Sequence, residues 1–188
     1  MTAEILAWAG RQLTLPDWEA MPKDEQFRLE LVEGVLSIMQ QPLSLHQRAV
    51  MRLGYRLDER VPPELTAVIE VEVVVTAQPL TIRIPDVLVT RASVIDANPP
   101  RVAAADVLLA VEILSNGTRK VDRILKFAEY AEAQIPQYWI IDLDDAPSLR
   151  AFTLVEDAYE LSGEFTAAVT LDVAGHAVTV DPAALTRR

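Results

Sequence analysis

Residues 107–114, Val-Leu-Leu-Ala-Val-Glu-Ile-Leu, are apolar at every position but one. A run of this length bounded by polar residues is the pattern of a strand covered on both faces. A chain that contains it must build a sheet with something packed on each side. Glu112 is the exception. On a strand of period 2 it points the same way as Leu108, Ala110 and Leu114. A lone carboxylate there is costly to desolvate unless a partner or a metal compensates. Asn116 and Gly117 are predicted to break the strand, and Thr118 is suited to cap a following helix. In that helix Asp122 and Lys126 are four residues apart and share a face. Strand, turn and helix thereby deliver Glu112, Asp122 and Lys126 to one end of a sheet.

The chain of 188 residues is long enough for one domain, expected over 1–188, with a substantial core. It has no cysteine, which removes disulfides and thiolate zinc sites. Its two histidines, His46 and His176, are far apart, so a metal would be a hard ion held by carboxylates. The formal charge of −11 disfavours a general DNA-coating protein but leaves room for an enzyme with a small basic rim. No apolar run reaches membrane-spanning length, and the start lacks a signal-peptide pattern. A cytoplasmic protein without membrane contact is expected.

Residues 1–27 read as an N-terminal helical arm, with a cap at Thr14 and Pro16 in a first turn. Residues 28–40 read as a tight hairpin turning at Glu33-Gly34. Ser44 to Arg60 reads as a helix with His46, Val50, Leu53 and Leu57 on one face, ended by Pro62-Pro63. Thr66 to Val75 reads as a strand whose Glu70 and Glu72 alternate with valines. Thr81 to Thr90 reads as a further strand, in which Pro85 marks an edge, a bulge or a strand start. Residues 91–105 read as a loop with a helical turn. In the helix after the central strand, Val121, Ile124, Leu125, Ala128 and Ala131 are predicted to form the apolar face. A strand over Tyr138–Asp142 then completes a crossover unit in a mixed sheet. Short strands at Leu149–Leu154, Tyr159–Leu161 and Val169–Val173 follow, and a short helix begins after Asp181.

Two or three carboxylates and a lysine are a minimal set for phosphodiester hydrolysis: they bind a divalent metal, hold a water and offset charge on the phosphate. The candidates are Asp86 and Glu112 as metal ligands, Lys126 near the water or phosphate, and Glu30 as a further ligand or a water-orienting group. Plainer readings stand beside these. Asp122 and Lys126 have the spacing of a surface ion pair. Asp86 could serve a turn at a strand start. His46 on an apolar helix face reads as a core or rim histidine. Trp18, Tyr138 and Trp139 read as packing, and His176 has no assigned role.

Pro85-Asp86, followed 26 residues later by Glu112, resembles the core of the PD-(D/E)XK nuclease superfamily. The chain is more closely similar to the Uma2 family over nearly its whole length. The similarity includes Leu13-Thr14-Leu15-Pro16-Asp17-Trp18, Glu30-Leu31-Val32-Glu33-Gly34, Pro42 and His46-Gln47. It continues with Val111-Glu112-Ile113-Leu114-Ser115, Thr118, Asp122, Lys126 and Tyr130, then Ile135 to Asp142. The resemblance implies a restriction-endonuclease-like α+β fold, a mixed sheet flanked by helices. It also implies an Mg²⁺ or Mn²⁺ site from Asp86 and Glu112, raises Glu30 and Lys126, and makes a homodimer plausible. The superfamily's lysine, two residues after the acid, is Leu114 here, and Lys126 is its natural substitute. Ser115-Asn116 replaces the usual Ser-Pro step, with an altered turn expected. Gln137 stands where a glutamate is common, with an altered loop surface expected.

The expected function is metal-dependent hydrolysis of phosphodiester bonds in DNA. The rival from another class is a binding or regulatory module with a silent site, acting through protein contacts. The acidic charge and the absence of a basic stripe favour that rival.

Overall fold

The computed structural model describes residues 3–22, 24, 26–114, 122–144 and 146–187, and the side chains among these except at 3, 122 and 123. Two sheets carry the architecture. The first runs in the order β2-β1-β5-β4-β7, with β1 at Phe27–Val32, β2 at Val35–Gln40, β4 at Val73–Ala77, β5 at Leu80–Arg83 and β7 at Val102–Ala103. The second runs β11-β10-β9-β8-β6-β3. Its strands are β3 at Leu65–Ile69, β6 at Val87–Arg91, β8 at Val107–Leu114, β9 at Gln137–Asp142, β10 at Ser148–Val155 and β11 at Ala158–Phe165. β8 and β9 are parallel and the other pairs of this sheet antiparallel, so the sheet is mixed as expected. A separate hairpin joins β12 at Val169–Val173 to β13 at His176–Val180.

The central strand is covered on both faces, as its composition requires. One face, with Leu109, Val111 and Ile113, packs on Ala49, Val50, Leu53 and Leu57 of helix α3 (Ser44–Asp58) and on β13. The other, with Ala110 and Leu114, packs on Tyr130, Ala131 and Tyr138. A third cluster seats two short helices, α1 (Ala3–Leu6) and α2 (Leu15–Ala20), on the first sheet through Ile5, Leu13, Trp18, Leu31 and Ile82. Residues 3–22 are therefore packed against β1 and β5, with Thr14 capping α2 through the amide of Asp17.

Two predicted strands are each divided. The stretch 66–75 is β3 and β4, in different sheets, because Glu70 adopts a left-handed backbone (φ 54°) that ends the ladder. The stretch 81–90 is β5 and β6, also in different sheets, with Ile84–Asp86 as the crossing and Pro85 offering no ladder donor. The two crossings touch, since the Glu70 amide donates to the Asp86 carbonyl at 3.3 Å.

The helix after β8 differs in phase. A wide π-type turn, Asp122–Lys126, leads into α5 at Phe127–Glu132. Ile124 and Leu125 are exposed, and Ala128 is too, while Lys126, Tyr130 and Ala131 are buried. The wide turn adds residues per turn and rotates the inward stripe off the predicted face. Asn116, Gly117, Thr118 and Val121 lie outside the described residues. The loop predicted for 91–105 holds α4 (Ala92–Asp96) and β7. Gln137 lies inside β9, where its side chain donates to the Asp172 carbonyl at 3.0 Å. It ties the small hairpin to the main sheet and is more than loop surface.

Candidate active site

The candidate residues converge where the chain crosses between the sheets. The register that pairs Val87 with Val111 brings Asp86, in the crossing just before β6, beside Glu112 of β8. Glu30 comes from β1 of the first sheet. Lys126 comes from the wide helical turn, and Tyr130 lies one turn further along the same face.

The three carboxylates proposed as site residues are buried, Glu30 at 0% exposure, Asp86 at 2% and Glu112 at 3%, as is Lys126 at 2%. Lys126 Nζ lies 2.9 Å from Glu112 Oε1 and 3.3 Å from Glu30 Oε1, so one ammonium bridges the two sheets. It is not on a solvated helix face, as a surface pair with Asp122 would require. Tyr130 donates its hydroxyl to the same Glu112 oxygen at 3.0 Å. Burial and the nearby Glu112 and Glu30 charges push the Tyr130 phenol well up, which keeps it a donor. The position two residues after Glu112 is Leu114, packed at 2% exposure, so Lys126 supplies the ammonium instead.

Asp86 is held through both oxygens. Oδ2 accepts from the Ile113 amide at 2.7 Å and lies 3.1 Å from His46 Nε2. Oδ1 accepts from Arg28 Nη1 at 2.9 Å. Burial pushes its carboxyl up, but the His46 hydrogen bond and the Arg28, His46 and Lys126 charges outweigh burial and hold it at about 2. His46 Nε2 is also 3.1 Å from the Ile113 carbonyl. Both neighbours of Nε2 are acceptors, so that nitrogen carries the hydrogen. Nδ1 is buried with no hydrogen-bond partner among the described residues.

Glu30 accepts from the Ile84 amide at 3.0 Å through Oε1 and from Arg83 Nη1 at 2.9 Å through Oε2. Burial raises its carboxyl, but Lys126, Arg83 and Arg28 bring it below the usual range. Arg83 in turn makes a two-point pair with Glu129, both contacts 2.6 Å. Arg28 also donates to the Ile84 carbonyl. The crossing Ile84–Asp86 lies outside the ladders: Glu30 and Arg28 satisfy the Ile84 amide and carbonyl, and the Glu70 amide donates to the Asp86 carbonyl.

From the sequence, Arg28, Arg83 and Glu129 have no assigned role, and His46 reads as a core or rim residue. Arg28 and Glu30 alternate on one strand face, and Tyr130 follows Lys126 by one helical turn. Those spacings were the available signals. The His46–Asp86 contact spans 40 residues and left no local trace.

An open cleft of about 450 Å³ adjoins the cluster, with Arg28 in its wall. The donor set is one of hard oxygens, and Asp86 is kept ionised. That is the chemistry of Mg²⁺ or Mn²⁺, which need only one or two protein carboxylates besides water and phosphate. No group of three or more His, Cys, Asp or Glu side chains placed to hold a metal occurs among the described residues. An ion held by Asp86 and Glu112 would therefore rest on few protein ligands, as Mg²⁺ commonly does. The Asp86 and Glu112 oxygens are engaged by the chain's own cations, with which such an ion would compete.

Residues 15–180 match the family model of Uma2, described as "Putative restriction endonuclease". The chain belongs to the Uma2 family. A crystal structure titled as a putative nuclease of DUF820 from Anabaena variabilis is similar in fold, with a TM-score of 0.65 at 18% identity. The match covers 79% of this chain and 83% of that one. No curated protein matches the sequence. Membership in Uma2 agrees with the mixed α+β architecture and gives the chain a nuclease-like fold. No described helix is long and apolar enough to cross a membrane.

Proposed function

We propose that this Uma2 protein is a divalent-metal-dependent nuclease that hydrolyses phosphodiester bonds in DNA. The carrying observation is the buried convergence of Glu30, Asp86, Glu112 and Lys126 from two sheets and a helix. Asp86 and Glu112 would hold Mg²⁺ or Mn²⁺, which when bound polarises a phosphoryl oxygen and lowers the pKa of water. The Ile113 amide and His46 orient Asp86 from one side. Tyr130 and Lys126 fix Glu112. Glu30 holds Lys126 in place, and the lysine ammonium orients a water or offsets charge on the phosphate as it develops.

A second reading is a silent nuclease-fold module acting through protein contacts. It is favoured by the net acidity and by the engagement of both acids with Arg28 and Lys126. Thermal unfolding with and without Mg²⁺ and Mn²⁺ separates the two. A ligand of the folded state alone stabilises it by about 2.7 kcal/mol at a hundred times its Kd. The nuclease reading expects a rise in wild type that is lost in Glu112→Gln, together with metal-dependent cleavage lost in Asp86→Asn. An unmoved transition and no cleavage would leave the silent module.

A further inference from the structure

We propose that the cleft beside Asp86 receives one unstacked nucleotide of a single DNA strand, next to the phosphodiester addressed by the acid cluster. The inference rests on the nuclease reading and adds which strand form binds and where its base goes.

Charge disfavours the usual route to affinity. Proteins that hold duplex DNA neutralise many phosphates with lysine and arginine. This chain has a formal charge of −11, and Arg28, Arg83, Arg91, Arg101 and Lys126 are each already paired with carboxylates. A single strand carries fewer charges per unit length than a duplex and offers unstacked bases, so a local pocket can add base stacking and hydrogen bonds to a base edge.

The cleft offers room, an aromatic edge and unsatisfied polar groups. Its volume of about 450 Å³ suits one nucleotide and not a duplex, and lies within the roughly 300–1,000 Å³ of small-ligand sites. Trp18 and Phe27 give it an apolar wall. That wall is braced. The Trp18 indole donates to Glu72 at 3.0 Å, Glu72 lies 2.7 Å from Arg101 Nε, and Arg101 reaches Glu19 at 2.9 Å. Besides Arg101 Nε, which keeps its ion pair with Glu72, two buried polar atoms of cleft-lining residues have no hydrogen-bond partner among the described residues: Arg28 Nε, a donor, and Asp24 Oδ2, an acceptor. A bare phosphate could satisfy only the first, and the cleft's acids would repel it. A nucleobase edge carries both acceptors and N–H donors. Arg28 links pocket to chemistry, because it lines the cleft while its Nη1 holds Asp86.

The test is fluorescence anisotropy in chelator with a labelled 12-residue DNA strand, alone and annealed to its complement. It is run on wild type, Phe27→Ala and Asp24→Asn, each checked for folding by circular dichroism. The single strand is expected to bind at least tenfold tighter than the duplex. Both variants should lose fivefold or more, and uncharged deoxynucleosides should compete. Equal binding of the two forms, no DNA binding at all, or undiminished strand binding in both folded variants overturns the proposal. Cleavage assays with Mn²⁺ run in parallel separate the two readings. Cleavage with no strand preference keeps the nuclease and removes the pocket, while strand-selective binding without any cleavage keeps the pocket and removes the nuclease.

Discussion

Tyr130 shows how closely the candidate site is tied to the core. Its ring packs at 5.4 Å from that of Tyr138, and its hydroxyl is a donor to buried Glu112. Tyr130→Phe keeps the packing and deletes the hydrogen bond to a charged group, a loss of about 1.5–3 kcal/mol. Urea unfolding at neutral pH should show it as a lower midpoint with an unchanged slope. Arg28 acts in the other direction. Its guanidinium is a resident cation 2.9 Å from Asp86, where a divalent ion would compete with it. Arg28→Met should therefore tighten Mn²⁺ binding several-fold in a calorimetric titration. A weakened or unchanged affinity would remove Arg28 as a competitor.

At the scale of elements, legibility followed locality. The hairpin turn at Glu33-Gly34, the inward face of α3 and the doubly covered central strand are all as their sequences predict, because each is set by residues within a few positions. Gly34 has φ of 79°, and an added Cβ would lie 2.8 Å from Gln12 Cγ and 3.2 Å from the Leu13 carbonyl oxygen. Gly34→Ala should cost about 1–3 kcal/mol, read as a lower thermal midpoint. The two crossings between sheets were not legible, since 66–75 and 81–90 keep strand composition through their breaks. Nor was the helix phase. A pattern search turns apolar residues inward, whereas here the inward position belongs to Lys126, whose partners are Glu112 and Glu30. In the same way, Glu30, Asp86, Glu112 and Lys126 could be named as a set from the sequence. Arg28, Arg83 and His46 could not, because their partners lie 40 to 58 residues away.

For the molecule as a whole, the cluster makes stability depend on pH. Asp86 titrates at about 2 when folded, against an ordinary carboxyl near 3.9, and Glu30 is lowered too. A lowered folded pKa favours the native state above the ordinary value, and the benefit fades as pH falls toward the folded one. The Asp86 part is on the order of 2 kcal/mol, complete above about pH 4 and lost near pH 2. Urea midpoints should drop between pH 4.5 and 2.5, and Asp86→Asn should flatten that drop. The crossing between the sheets has a further use. The amides of Ile84 and Ile113 donate to Glu30 and Asp86. Each is a backbone probe wired to a site carboxylate. In a two-dimensional NMR spectrum these two peaks would register whatever reaches the acids, whether proton, metal or nucleotide, without a label or a mutation in the site itself.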